Sequence, residues 1–262
     1  MSSLPIAESL DILAIAAHRD DVEQTCGGTL LNAAQRGQRT GILDLTQGEM
    51  GTRGTTEDRA REAEEGARIL NVSWRRALDI PDGRVENTWE NRLKVASVIR
   101  ETRPRVVILP HWKARHPDHY TTSLLGYEAC FLAGLSKLAI RGQRLGASES
   151  DEALPPHRPF KIVYATLHIL HTSYYYDDRP SFIVDITQQF EAKLAAIFAY
   201  KSQFGDQEVG KKVFPAQEAI RSSIEAMARF YGSLGGVTYG EPFLQKEVGL
   251  VEDLLAIPVK SV

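Results

Sequence analysis

The sequence is poor in cysteine and has no long apolar run, and each absence excludes a class of protein. Only Cys26 and Cys130 carry thiols among 262 residues, which excludes a disulfide framework and a thiolate-rich zinc or iron–sulfur site. No apolar stretch approaches the ~20 residues that a membrane-spanning helix needs. Residues 1–10 contain no basic residue, and Asp11 interrupts the apolar run that follows, so we predict no signal peptide. The expectation is a soluble, cytoplasmic protein without a membrane partner.

The sequence also lacks an excess of charge of one sign. Lysine and arginine together number 31 against 34 acidic residues, and the net charge is -3. This balance predicts no nucleic-acid partner. The hydrophobic and charged fractions, 43% and 25%, are those of an ordinary globular protein. The seven histidines are therefore the feature of the composition that points most directly to chemistry.

Short apolar runs alternate with helical patterns along the chain. Strands are predicted over 10–17, 40–46, 74–78, 105–110, 160–168, 181–185 and in the tail from 237. Helices are predicted over 29–38, 58–71, 91–103, 120–137, 188–204 and 215–231. This alternation indicates βαβ units, and so an α/β fold with a mainly parallel sheet flanked by helices. We expect a single domain over 1–262, with 141–159 as a surface excursion.

Two polar clusters follow predicted strands. His18-Arg19-Asp20-Asp21-Val22-Glu23 comes directly after the first strand, and His116-Pro117-Asp118-His119 follows the strand at 105–110. The carboxyl ends of parallel strands open on the same edge of a sheet, where ligands bind, so the two clusters are expected to converge. Within each cluster, residues three apart place their side chains on one side of the chain.

Imidazole and carboxylate groups in this arrangement predict a catalytic metal site. Two imidazoles, one carboxylate and an open position are typical of catalytic zinc. Asp20 is expected to take the proton from the attacking water, and His116 to act opposite it, with Asp118 orienting the imidazole. Each cluster alone also has a structural explanation, as a helix N-terminus or a solvated turn. Their joint occurrence at two strand ends favours the metal site.

These motifs resemble those of a known family. AHRDDVE resembles the A-H-P-D-D-x-E signature of the LmbE-like (PIG-L-type) zinc N-deacetylases, and HPDH matches their second signature. The segments GGT, DLTQGEMGTRGT, REAEEGARIL, KSQF and PFLQKEVGLVEDLL are similar to the branch that deacetylates the N-acetylglucosaminyl malate precursor of bacillithiol. The resemblance covers nearly the whole chain. It implies a Rossmann-like fold and a homo-oligomer.

The resemblance also implies roles for individual residues. The zinc ligands would be His18, Asp21 and His119. Asp20 would be the general base, and His116 the general acid or oxyanion stabiliser, held by Asp118. Further substrate contacts would come from Arg53, on a carboxylate or phosphate, from Glu49, on a sugar hydroxyl, and from Tyr200, at the acyl pocket.

Some of these assignments have a structural alternative. An arginine in a glycine-rich loop is as often a surface residue as a substrate contact. An aromatic residue on a helix, such as Tyr200, is more often part of the core. Arg19 departs from the family proline, which would stiffen the turn. The extra cation lies in the segment 18–21, which we call the metal loop because it holds two of the predicted ligands. We expect this cation to alter substrate preference.

The expected activity is zinc-dependent hydrolysis of the N-acetyl group of a small amino-sugar conjugate. Several alternatives stay open. The metal could be Fe²⁺, since two histidines and a carboxylate also form the site of non-haem oxygenases, although those are expected on an all-β scaffold. The chain could be an amidase for a related thiol-sugar conjugate or a non-catalytic carbohydrate-binding module. The lack of GxGxxG and GxxxxGK[ST] argues against a nucleotide site. The aglycone could be malate, inositol, a lipid or an S-conjugate.

Overall fold

A computed structural model of the chain describes residues 9–142, 153–166, 179–205 and 215–253. Within these ranges the strands are β1 (Ile12–Ala16), β2 (Thr40–Asp44), β3 (Trp74–Ala77), β4 (Val106–Pro110), β5 (Lys161–Ala165), β6 (Phe182–Asp185) and β7 (Gly240–Leu244). The helices are α1 (Asp21–Thr25), α2 (Gly27–Gln35), α3 (Thr56–Ile69), α4 (Trp89–Thr102), α5 (Pro117–Ala133), α6 (Phe190–Phe198), α7 (Lys201–Phe204) and α8 (Gln217–Gly235).

The strands form one sheet in the order β3-β2-β1-β4-β5-β7-β6. Strand β1 pairs in parallel with β2 and with β4, and the pairs β2–β3 and β4–β5 are also parallel. Strand β7 runs antiparallel to both of its neighbours. The prediction of a single-domain α/β fold with a mainly parallel, helix-flanked sheet is confirmed.

Helices cover both faces of the sheet, and alternate side chains of β1 are buried on opposite faces. Leu13 and Ile15 point into a core cluster shared with α4 and α5. Ala14 and Ala16 point into the opposite cluster, shared with α1 and α2. A strand buried on both faces must be apolar nearly throughout, which explains the continuous apolar run that the sequence displays.

Some element boundaries differ from the sequence prediction. The first helical segment begins at Asp21, well before the predicted start at 29, so the metal loop leads straight into α1. The single helix predicted over 188–204 is two helices, α6 and α7, with Tyr200 between them in a non-helical conformation. Strand β7 runs antiparallel because it enters the sheet between β5 and β6 from the opposite end.

The predicted excursion at 141–159 is described only in part, since 143–152 lie outside the described residues. The section from 153 to 159 is irregular, and hydrogen bonds tie it to the body of the domain. Arg100 donates to the carbonyl of Leu154 (3.0 Å), and Nε2 of His157 lies 2.7 Å from the carbonyl of Pro104. Every helix in the described part of the chain is too short or too polar to span a bilayer.

The topology places a crevice between β1 and β4. From β1 the chain proceeds to β2 and β3 on one side of the sheet, whereas β4 and β5 lie on the other. Such a reversal of strand order opens a crevice at the carboxyl ends of the two central strands, where α/β proteins bind ligands. The 18–23 cluster follows β1, and the 116–119 cluster follows β4.

Candidate active site

The two polar clusters meet in this crevice. Nδ1 of His18 lies 3.2 Å from Nε2 of His119. Asp21 faces both rings, with Oδ2 3.4 Å from Nδ1 of His18 and Oδ1 3.3 Å from Nε2 of His119. The three side chains are only 10–12% exposed. The structure therefore brings together the three residues that the sequence predicted as metal ligands.

Local backbone structure fixes this arrangement. Asp21 is the first residue of α1, and its Oδ2 accepts a hydrogen bond from the backbone N–H of His18 (2.9 Å). His119 stands in the first turn of α5, which begins with Pro117. Proline suits this position, because the first N–H of a helix has no partner within the helix. Each ligand thus sits where a loop becomes a helix.

The other ring nitrogen of His18 faces carboxylates. Its Nε2 lies 3.1 Å from Oδ1 of Asp82 and 3.4 Å from Oδ2 of Asp118. A histidine that binds a metal usually donates its second N–H to a carboxylate, which fixes the tautomer and the ring orientation. These contacts therefore leave Nδ1 of His18 available on the side of Asp21 and His119.

Asp82, in the turn segment PDGR after β3, is a site residue that the sequence analysis did not predict. In the structure this turn lies against the glycine-rich loop. The backbone N–H of Met50 donates to Oδ2 of Asp82 (2.9 Å), and the N–H of Asp82 donates to Oε1 of Glu49 (2.8 Å). The available signal was weak, namely a carboxylate in a turn shortly after β3, at the same edge of the sheet.

The carboxylate of Asp118 does not form a hydrogen bond with the imidazole of His116, although the sequence predicted this contact. It accepts hydrogen bonds from the N–H groups of Gly83 (2.8 Å) and Val85 (3.2 Å), besides facing His18. His116 instead receives the backbone N–H of Asp118 at Nδ1 (3.2 Å), because His116 is the N-cap of α5. The carboxylate thus ties α5 to the Asp82 turn, whereas the backbone of Asp118 orients His116.

His116 lies beside the ligand cluster, and Asp20 is paired with α3. The ring of His116 stands 4.9 Å from that of His18 and 5.1 Å from that of His119, measured between centroids. Oδ1 of Asp20 forms an ion pair of 2.9 Å with Nη2 of Arg59, a buried residue of α3. The imidazole of His116 therefore stands next to the predicted ligands, whereas the carboxylate of Asp20, the residue before Asp21, is held by α3.

The concentration of charge shifts the pKa values of the cluster. Burial disfavours ionisation of Asp21, but the charges of His119 and His18 outweigh it and hold the pKa of Asp21 well below its usual value. Burial also lowers the pKa of His18, yet the charge of Asp21 and the carboxylate hydrogen bonds raise it well above its usual value. The pKa of His116 is lowered, first by burial and then by the positive charges of His18 and His119.

A buried network of hydrogen bonds holds the backbone of the metal loop at Arg19. Arg75 of β3 donates to Asp44 at 2.9 and 3.1 Å, to Glu23 at 2.6 Å, and to the backbone carbonyl of Arg19. The hydroxyl of Tyr200 donates to the same carbonyl and lies 3.0 Å from Glu23. Burial raises the pKa of Glu23 to about 7, despite the nearby charge of Arg75. The network thus anchors the residue between His18 and Asp20.

The predicted substrate residues lie in different environments. Glu49 is exposed and holds the Asp82 turn. Arg53 is only 5% exposed, and its Nη1 donates to the carbonyl of Gln203 (3.3 Å). Tyr200 is fully buried. The prediction placed all three against substrate, whereas the structure places Arg53 and Tyr200 inside the protein. Arg53 is bound to α7, and Tyr200 packs in a core cluster with α3, α6 and α8.

Arg19, which replaces the family proline, is also buried. Its side chain is directed to the start of α3, where Nη1 donates to the carbonyl of Thr56 (2.7 Å). Burial lowers the pKa of this guanidinium. The added cation is therefore used to join the metal loop to α3.

Within the described residues, two groups of side chains bring metal-binding atoms within 4.8 Å of one another. One is His18, His116 and His119, and the other is His18, Asp82 and Asp118. His18 belongs to both, and Asp21 contacts two members of the first at 3.3–3.4 Å. Both cysteines are buried, and burial raises the pKa of each thiol to about 12. Nitrogen and oxygen are therefore the donors that this site offers.

Comparisons with known proteins find a family and several relatives of this chain. Residues 13–130 match the family described as PIG-L, GlcNAc-PI de-N-acetylase. The diacetylchitobiose deacetylase of Thermococcus kodakarensis is 30% identical over 247 residues, which cover 90% of this chain and 83% of the relative.

Two solved structures are similar over almost the whole chain. The conserved protein TT1542 from Thermus thermophilus is 38% identical, with a TM-score of 0.77 over 93% of this chain and 98% of that one. The N,N'-diacetylchitobiose deacetylase from Pyrococcus horikoshii is 27% identical, with a TM-score of 0.71 over 91% of this chain and 84% of that one.

Proposed function

Because the chain belongs to the PIG-L family of deacetylases, we propose that it hydrolyses the N-acetyl group of an N-acetylglucosamine conjugate, using a bound zinc ion. One observation carries this proposal. Nδ1 of His18, Nε2 of His119 and the carboxylate of Asp21 lie 3.2–3.4 Å from one another, next in sequence to Asp20. The names of the relatives, deacetylases of an acetylated amino sugar, support the choice of substrate class.

The donor set fits a catalytic metal ion. His18, His119 and Asp21 would hold it, since two imidazoles and one carboxylate leave a position open for a reactant. The carboxylates on Nε2 of His18 fix that ring for binding through Nδ1. Zinc, when bound, polarises a carbonyl group and makes water more acidic. Fe²⁺ also suits two histidines and a carboxylate, so metal analysis is part of the test.

Asp20 and His116 would move the protons. Asp20 accepts a proton from the attacking water, and Arg59 holds its carboxylate in place at 2.9 Å. The water oxygen bonds to the acetyl carbon, and the bond from that carbon to nitrogen breaks. His116 stabilises the oxyanion and donates the proton that the departing amine needs. The proton that Asp20 took from the water replaces the one that His116 gave. The products are acetate and a free amino sugar.

N-acetylglucosaminyl malate, as used in bacillithiol biosynthesis, is the substrate that we propose. The similarity of DLTQGEMGTRGT and PFLQKEVGLVEDLL to that branch supports this choice. Glu49, exposed beside the Asp82 turn, is proposed to bind a sugar hydroxyl. Arg53 and Tyr200 would contribute from inside the protein, by holding the glycine-rich loop and the metal loop. The scarcity of cysteine supports a reducing, cytoplasmic setting.

An acetate-release assay on matched substrates tests the proposal. The zinc-loaded protein is given N-acetylglucosaminyl malate, free N-acetylglucosamine and N,N'-diacetylchitobiose. We expect release from all three, with the highest kcat/KM on the malate conjugate. Equal and negligible rates on every N-acetyl sugar would refute the function. Preference for another conjugate, such as a thiol-sugar, would keep the deacetylase and refute the malate assignment. Oxygen uptake in the iron-loaded protein would favour an oxygenase.

We also propose that the chain forms a homo-oligomer through α5. Four large side chains recur on one side of this helix and are 41–55% exposed: Tyr120, Leu124, Tyr127 and Phe131. Contiguous apolar patches of this kind typically mark protein interfaces. Light scattering should give a mass above the 29.1 kDa of one chain. Leu124→Glu should lower it, whereas Leu234→Glu, at an equally exposed position on α8, should not.

A further inference from the structure

An apolar cavity lies next to the predicted metal ligands. Its volume is about 20 Å³, and Asp21 and His119 form part of its wall. The buried ring of His111 also lines the cavity, and the other walls are mainly apolar, among them Val22, Cys26 and Ile108. All three of these are no more than 3% exposed. The cavity therefore lies between the predicted metal ligands and the hydrophobic core.

Small side chains on β1 and β5 create this space. Ala14 and Ala16 of β1 and Ala165 of β5 line the cavity. They share a core cluster with Ile108, which is paired with Ala14 across β1 and β4. A valine or isoleucine at any of the three alanines would extend into the space. The loop after β4 completes the lining with His111 and Ala114. The walls that the sheet and α1 form cannot move apart without disturbing the close-packed core.

We propose that this cavity receives the methyl group of the substrate's acetyl group and thereby restricts the enzyme to acetyl amides. This inference rests on the proposed deacetylase function. The carbonyl carbon under attack must lie at the ligand cluster, so the acyl chain attached to it extends into the nearest space. A cavity of about 20 Å³ holds a group about the size of one water molecule or methyl. Propionyl and butyryl chains exceed that volume.

The wall facing the acyl group is chemically suited to a methyl. Burial raises the pKa of the Cys26 thiol to about 12, so this wall is a neutral, weakly polar sulfur. The hydroxyl of Thr25, which also lines the cavity, donates to the backbone carbonyl of Asp21 (2.8 Å). The hydroxyl hydrogen of Thr25 is therefore directed away from the cavity. A methyl group in the cavity could not accept a hydrogen bond from it.

A series of acyl chains tests the proposal on the unaltered, zinc-loaded protein. N-acetyl, N-propionyl and N-butyryl derivatives of one amino sugar are compared by kcat/KM. We expect each added methylene to lower kcat/KM by ~10- to 200-fold, the usual discrimination of a tight apolar pocket. Propionyl and butyryl amides hydrolysed as fast as the acetyl amide would overturn the cavity's role.

Two isoleucine variants separate the cavity from the core as a whole. Ile108→Val removes a methylene from the wall. Ile42→Val removes the same group from β2, in the same buried cluster but outside the lining. The propionyl-to-acetyl ratio should rise about 10-fold in Ile108→Val and stay unchanged in Ile42→Val. Equal changes in both variants would overturn the assignment.

Carboxylate binding separates this inference from the proposed function. Acetate, propionate and butyrate are titrated into the zinc-loaded protein by calorimetry, without any turnover. We expect the affinity to fall in that order. Discrimination among the anions with no amide hydrolysis would refute the deacetylase function and retain the cavity as a methyl site. Deacetylation with equal affinity for all three anions would refute the cavity and retain the function.

Discussion

The carboxylate of Asp82 lies 3.1 Å from Nε2 of His18, on the imidazole nitrogen that does not face Asp21 and His119. A turn after β3 thereby reaches a histidine that follows β1. Burial acts to raise the pKa of Asp82, but the hydrogen bonds from His18 and from the backbone N–H of Met50, together with the charge of His18, outweigh it and lower the pKa. This contact orients the one residue that belongs to both groups of metal-binding atoms.

Asp82→Ala is predicted to weaken metal binding. Loss of a carboxylate behind a metal-binding histidine typically costs 10- to 100-fold in affinity, and we expect a loss of ~10- to 100-fold here. Competition with a fluorescent zinc chelator measures it. Asp79→Ala is the control, because that side chain is 74% exposed and pairs with Lys94. Equal zinc affinity of Asp82→Ala and the wild type would contradict the orienting role.

Asp20→Asn is predicted to abolish most of the turnover and to retain the metal. Removing a general base lowers kcat by ~10²- to 10⁴-fold. The asparagine keeps the size of the side chain, so the zinc content measured after purification should be unchanged. A variant that contains zinc and turns over at the wild-type rate would show that another group takes the proton.

Arg59→Met is predicted to lower kcat more than it changes KM. The guanidinium holds Oδ1 of Asp20 at 2.9 Å, and a misplaced catalytic group costs ~10- to 100-fold in rate. Arg61→Met serves as the control on the same helix, where the side chain is 70% exposed and pairs with Asp58. An increase in KM alone would indicate that Arg59 binds substrate.

Arg75→Met is predicted to destabilise the fold. The substitution leaves Asp44 and Glu23 buried without their cation, and breaking a buried ion pair typically costs about 3–5 kcal/mol in the free energy of unfolding. Arg68→Met should leave the free energy of unfolding nearly unchanged, because Arg68 and its partner Glu65 are 71% and 47% exposed. Urea unfolding compares the two variants. Equal losses would show that the network contributes little.

Both thiols are predicted to be unreactive in the folded protein. Cys26 and Cys130 are buried, and the pKa of each lies at about 12. The thiolate is the reactive species, so a disulfide reagent at pH ~8 should modify neither cysteine. After unfolding it should modify both. Rapid labelling of the native protein would place a thiol at the surface.

The sequence by itself was enough to predict the alternation of strands and helices and the ligand clusters. Apolar runs such as 10–17 and the spacing of His18 with Asp21 and of His116 with His119 are local features. Local periodicity reports which faces are buried. In a parallel sheet built from βαβ units, all strands have their carboxyl ends at the same edge. The convergence of the two clusters was predictable for this reason.

The tertiary structure alone decided which side chains surround those ligands. Asp82, Arg59 and Arg75 reach the metal loop from other elements, and no periodicity in the sequence relates them to it. The same packing turns the carboxylate of Asp118 towards His18 and buries Tyr200. Such contacts depend on how loops and helices far apart in sequence pack over the sheet, which is set by the whole core and not by any one segment.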